Sequence, residues 1–126
     1  MGAADVALAK SLVAMSEKHL GTATSIPLTS QTASSAFVLT YEALREVCEA
    51  ICAKEGNKVY SHEAFTAYLR EVLKEERIAA TFDRLRKLRN GINYYGEEVE
   101  VTETEAAARD VKELVTTLKR KYLSDL

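Results

Sequence analysis

Proline occurs once in the sequence, at Pro27, so the strongest helix breaker is missing from every other stretch of the chain. Cysteine is nearly as scarce. Cys48 and Cys52 are the only two, and their spacing of four on one helical face does not suit disulfide geometry, so buried free thiols are expected. The two histidines, His19 and His62, stand on other segments, so the ligand set of a zinc site is lacking and no metal or cofactor is expected. No apolar run approaches the roughly 20 residues that span a bilayer. The opening Met1–Ala9 has no basic start followed by an apolar run, and a cytoplasmic protein without membrane attachment is expected. Charge of one sign is also missing: 17 Lys and Arg stand against 19 Asp and Glu. The net of −2 excludes the broad positive field of a dedicated duplex-DNA binder, so any nucleic-acid site must be local. Neither sustained apolar/polar alternation nor an internal repeat is found, which disfavours a sheet or a solenoid.

What is present favours packed helices. Hydrophobic residues make up 47% of the chain, with alanine, leucine, glutamate and lysine recurring throughout. Its 126 residues suffice for one core and are too few for two ordinary domains. The reading is therefore one all-α domain over residues 1–126, an antiparallel four- to five-helix bundle. Leu8, Leu12 and Met15, with Val6, Val13 and Leu20, predict a first helix over Ala3–Leu20 with a wide buried arc, ended by Gly21. The Ser- and Thr-rich Thr22–Thr32 should be a surface loop. Phe37, Tyr41, Leu44, Cys48 and Ile51 mark a central core helix over Ala33–Lys54. Gly56-Asn57 breaks it, and Ser61 should cap a shorter helix whose apolar face is Phe65, Tyr68, Leu69, Val72 and Leu73. A fourth helix, Ile78–Tyr95, follows from Ile78, Phe82, Leu85, Leu88 and Ile92. Thr102-Glu103-Thr104-Glu105 offers a capping box for a last helix buried through Ala107, Val111, Leu114, Leu118 and Tyr122. Short connections imply antiparallel neighbours.

The fourth helix concentrates positive charge in Arg84-Leu85-Arg86-Lys87-Leu88-Arg89-Asn90-Gly91-Ile92-Asn93-Tyr94-Tyr95-Gly96. At about 100° per residue, Arg89 falls inside the arc of Phe82, Leu85 and Ile92, with Asn93 and Arg86 beside it. Arg84 and Lys87 point elsewhere, toward what reads as a solvated face. A guanidinium on a packed face cannot shed its charge, so it needs a carboxylate, a subunit interface or a ligand phosphate. Glu42 is a candidate carboxylate, in which case Asn90 and Asn93 merely satisfy backbone groups; otherwise their amides serve a ligand. His62 reads as a first-turn residue and His19 as a partly buried core residue.

Tyr41-Glu42-Ala43-Leu44-Arg45, the junction Gly56 to Ser61-His62-Glu63-Ala64, and Arg89-Asn90-Gly91-Ile92-Asn93-Tyr94 together resemble a HEPN domain over about residues 33–122. The resemblance implies a helical bundle that dimerises. Many members use an Arg, followed four to six residues later by a His, for metal-independent RNA cleavage at the dimer cleft; others bind nucleotides or nucleic acid without cutting. Here Arg89 matches the family arginine and Asn90 the polar residue after it, while the histidine positions hold Tyr94, Tyr95 and Gly96. A tyrosine of ordinary pKa near 10 is a poor base beside an imidazole. The resemblance thus implies a non-catalytic nucleotide- or RNA-binding homodimer in which Arg89, Asn90, Asn93, Tyr94 and Arg86 hold the ligand, possible members of a toxin–antitoxin or nucleotidyltransferase-associated system included. Its alternatives are a residual ribonuclease, in which Tyr94, Asn93 or His62 moves the proton, and an interaction subunit for a minimal nucleotidyltransferase.

Overall fold

In the computed structural model the described residues are 2–59 and 61–126; Met1, and Tyr60 inside the Gly56–Ser61 junction, lie outside them. Among the described residues five α-helices form: α1 Val6–Ser25, α2 Ala33–Lys54, α3 His62–Ala67, which continues into a π turn Tyr68–Val72, α4 Glu76–Tyr95 and α5 Val101–Tyr122. No strand occurs among the described residues.

Helix α2 is the centre, because its apolar residues are not confined to one stripe. Phe37, Tyr41, Leu44, Val47, Cys48 and Ile51 are buried, and so are Ala36, Ala43 and Ala50 on another side. A helix buried on several faces needs neighbours on each. Helices α1, α4, α5 and the short α3 supply them.

The α1–α2 contact uses small residues. Ala9, Ser16 and Ala23 recur every seven positions on α1 and are buried, and Ser16 Oγ donates to the Ala43 carbonyl at 2.7 Å. With Asp5 N–H donating to Ala53 O, this register is antiparallel, so Ala9 lies toward Ala50 and Ala23 toward Ala36. Close approach of two backbones leaves the larger α1 residues at the margin. Val6, Leu8 and Met15 are exposed, which corrects the expected wide buried arc. Gly21 does not end α1 either. Burial of Ala23 and the bonds of Thr24 Oγ1 to Leu20 O and Gly21 O carry the helix to Ser25.

Helices α2 and α5 run parallel, not antiparallel. Thr104 Oγ1 reaches Ala33 O near both N-termini, and Lys54 Nζ reaches Tyr122 O near both C-termini. Helix α4 runs against α5, with Arg84 beside Asp110 and Glu75 beside Lys121, and so returns the chain to its starting end; short loops did not make every neighbouring pair antiparallel. The α5 capping box lies two residues before the expected one, with Glu100 as N-cap and Glu103 reaching back to it. Buried Val99, whose N–H is taken by Ser34 Oγ at 2.9 Å, fixes that entry. Ser61 caps α3 as its sequence suggests, but the helix widens into a π turn over Tyr68–Val72, and this leaves Val72 59% exposed rather than on the apolar face. Lys74, in the left-handed region, then turns the chain into α4.

Gly56, at φ +75°, is the other position where conformation matters. The N-terminal segment is strapped there by Gly2 N–H donating to Gly56 O, and a Cβ on Gly56 would run into the Gly2 carbonyl. Gly56→Ala is expected to cost about 2 kcal/mol, combining left-handed strain with loss of the strap. Urea denaturation checks it; an unchanged midpoint in Gly56→Ala would contradict the strap.

Candidate functional site

The site forms where α4 crosses α2. Phe82 and Leu85 are buried against the core, and Arg89 follows Leu85 by one turn, so the packing that seats α4 also carries the guanidinium to the α2 surface. There its central carbon lies 5.9 Å from the Tyr41 ring centroid and 5.8 Å from the Tyr94 ring centroid. Both contacts are within the range of a cation–π attraction. Arg89 Nε is buried without a hydrogen-bond partner, the sole such side-chain atom among the described residues. Among the described residues Nη1 finds only the Asn90 Oδ1 amide oxygen, at a long 3.4 Å.

The expected carboxylate is otherwise engaged. Glu42 accepts from Arg45 Nη2 at 2.8 Å, and Arg45 Nη1 donates to Glu49 at 2.7 Å, so α2 closes its own acid–base–acid row. That row forms because residues three and four apart share a helix face. Among the described residues no carboxylate forms an ion pair with Arg89.

The other residues singled out in the sequence divide. Asn90 is half-buried beside Arg89, and Asn93 is exposed one turn on. Tyr94 and Tyr95 are 68% and 77% exposed at the end of α4, enough to present ring faces outward. Gly96 closes the helix in the left-handed conformation. Arg86 is not free: Nη2 donates to Asp83 at 2.8 Å, and Thr66 and Lys87 share that carboxylate, whose pKa these donors pull down to about 2. Arg86 is a neighbour of the site, with its charge already matched.

Tyr41 was not read from the sequence as part of it, and His62 entered only in the ribonuclease alternative. Tyr41 fits the core stripe, yet its hydroxyl lies 2.6 Å from His62 Nδ1 and its ring stacks on the imidazole with centroids 5.6 Å apart. Burial raises the Tyr41 pKa, so the phenol keeps its proton. With no other partner for that hydroxyl among the described residues, it donates to Nδ1, which places the ring proton of neutral His62 on Nε2. Burial first, then the charges of Arg89 and Arg45, hold the His62 pKa below its ordinary value. His62, expected as a plain first-turn residue, is thereby joined to Arg89 through Tyr41. The signal available beforehand was a polar tip on an otherwise apolar stripe, since a buried tyrosine hydroxyl needs a partner.

Other chemistry-bearing groups stand apart. His19 Nδ1 meets the buried Glu46 at 2.7 Å on the α1 side. Cys52 lines a separate cleft of about 270 Å³ beside the N-terminal strap, where burial pushes its thiol up to about 12, far from a reactive thiolate. Cys48 is buried and likewise raised. Among the described residues no group of three or more His, Cys, Asp or Glu is placed to hold a metal ion, and no helix is long and apolar enough to cross a membrane. No protein-family model and no curated protein matches the sequence.

Proposed function

We propose that the chain is a HEPN-like protein that binds RNA or a nucleotide at the Arg89 surface without cutting it, and does so as a homodimer. The carrying observation is a permanently charged guanidinium, partly desolvated against two tyrosine rings, with a buried Nε and, among the described residues, no paired carboxylate. An arginine so placed costs stability unless something else completes it, and a phosphate oxygen matches its planar donors. The exposed rings of Tyr94 and Tyr95 offer stacking faces for bases, and Asn90 and Asn93 offer amides at the same helix end. The dimer, and a place in a toxin–antitoxin or nucleotidyltransferase-associated system, rest on the family resemblance.

Fluorescence anisotropy with a labelled single-stranded RNA tests the ligand, and light scattering after size exclusion tests the dimer. Binding should weaken with salt by about 0.7 log units per tenfold salt for each phosphate held. No anisotropy change up to about 100 µM protein, the weak end of non-specific affinity, would end the proposal.

A neutral His62 close to the charge of Arg89 supports a second reading, residual ribonuclease activity with Arg89 on the phosphorane and His62 as base once the Tyr41 hydroxyl has left its Nδ1. A histidine kept neutral near pH 7 is a competent base. Cleavage of mixed RNA that disappears in both Arg89→Ala and His62→Gln would establish it, and binding without cleavage would leave the first reading.

A further inference from the structure

We infer that each Arg89 site holds one phosphodiester of an unpaired RNA strand, with the bases beside it, and that no track of phosphates runs along α4. This rests on the proposed RNA binding at Arg89 and names what that site takes from the strand, a single dinucleotide step.

Helix α4 carries Arg84, Arg86, Lys87 and Arg89 within two turns, enough cations for a row of phosphates. Three of them are already matched. Arg84 Nη2 lies 3.4 Å from Asp110, while Arg86 and Lys87 share Asp83 at 2.8 and 3.1 Å. Direction separates them as well. At about 100° per residue, Lys87 and Arg84 stand roughly 160° and 140° round the helix from Arg89, on its far side. Arg86, at roughly 60°, is nearer, but its side chain is 13% exposed and its Nε and Nη2 both donate to Asp83. Only Arg89 keeps a buried Nε without a partner and, among the described residues, no paired carboxylate.

Helix α2 does not extend the row. Of its two cations, Lys54 pairs with Asp125 at the helix C-terminus, and Arg45 is held between Glu42 and Glu49. Two carboxylates around one guanidinium leave that stretch of α2 negative, so it repels a second phosphate. One unmatched guanidinium thus holds one phosphate, through the paired donors of its planar fork. The rest of the site suits bases. Tyr94, in contact with the guanidinium, and Tyr95 are exposed rings at the end of α4, where Asn90 and Asn93 bring amides. Rings so placed stack only bases that a duplex does not hold.

The probe is a labelled oligouridine of about ten nucleotides without terminal phosphates, long enough to occupy a track if one exists. Its affinity should fall by about 0.7 log units per tenfold salt, or by about 1.4 where one strand reaches both subunits of the proposed dimer. Unlabelled diuridine monophosphate should displace it completely, with an affinity within about tenfold, the excess being the registers that the longer strand offers. A blunt duplex of mixed sequence should compete far less well. Lys87→Ala changes an exposed residue and should leave both affinity and salt slope within about twofold of the wild type. A slope of about 2 or steeper, a slope that drops in Lys87→Ala, a dinucleotide that fails to compete, or a duplex that competes equally would each overturn the inference while leaving RNA binding in place. No binding of the oligouridine at any salt concentration would remove both.

Discussion

Arg89→Leu should weaken RNA binding about thirtyfold or more and at the same time raise the thermal unfolding midpoint. The two effects share a cause. Arg89 sits one turn beyond Leu85 on the α4 face that packs on α2, with its Nε buried and unpaired. An unsatisfied buried polar atom costs about 1 to 3 kcal/mol, and more when charged. Against this stand two cation–π contacts, each about 0.5 to 1 kcal/mol at a partly exposed position, and the packing of the aliphatic stem. Leucine keeps the packing and removes the desolvated charge, so a gain of about 1 kcal/mol, or about 4 °C, is expected for a domain of this size. Loss of charge-assisted bonds to phosphate should weaken RNA binding about thirtyfold or more, since each is worth about 1.5 to 3 kcal/mol. Arg89→Lys keeps the charge but not the planar fork and should fall between. Calorimetry and anisotropy on the same samples decide the matter. A clear drop in stability for Arg89→Leu would mean that the arginine is structural, and the ligand would lose its main support.

That opposition was partly legible before any coordinates. Residues 82, 85, 89 and 92 keep helical time, so arithmetic alone placed Arg89 on the packed face of α4. The central position of α2 also followed, because Phe37, Tyr41, Leu44, Cys48 and Ile51 are large enough to register as a stripe. Helix α1 misled for the converse reason. Its buried residues are Ala9, Ser16 and Ala23, too small to stand out, whereas Val6, Leu8 and Met15 look like a core and lie outside it. The start of α5 was missed because Thr102 is the better N-cap by preference, while burial of Val99 decided for Glu100. At the site, the competition for Glu42 turned on Arg45, three residues away, an option that spacing offers but cannot rank. The contact of Tyr41 with His62 joins residues 21 apart across two helices, and no local pattern encodes it.

Phe82→Ala should be the most damaging single change considered, because one ring holds both core and site. Phe82 is fully buried, with its centroid 5.5 Å from Tyr41 and 6.1 Å from Phe65. Truncating a buried phenylalanine costs about 3 to 5 kcal/mol, including the cavity it leaves. Against a total stability of about 5 to 15 kcal/mol for a small domain, that is a large fraction. The loss also reaches the site, since Tyr41 would lose the ring that fixes its tilt, and Tyr41 is what joins His62 to Arg89. Phe82→Leu refills most of the volume and should cost only about 1 to 2 kcal/mol. The exposed Tyr94 gives the contrast: Tyr94→Ala should cost only about 0.5 to 1 kcal/mol of stability, through the lost contact with Arg89, while weakening RNA binding by about 1 to 3 kcal/mol through lost stacking. Urea unfolding and anisotropy, measured side by side, separate the two roles. Should Tyr94→Ala bind RNA as tightly as the wild type, the α4 end is not the base-contacting surface, and Arg89 would have to hold its anion from the Tyr41 side alone.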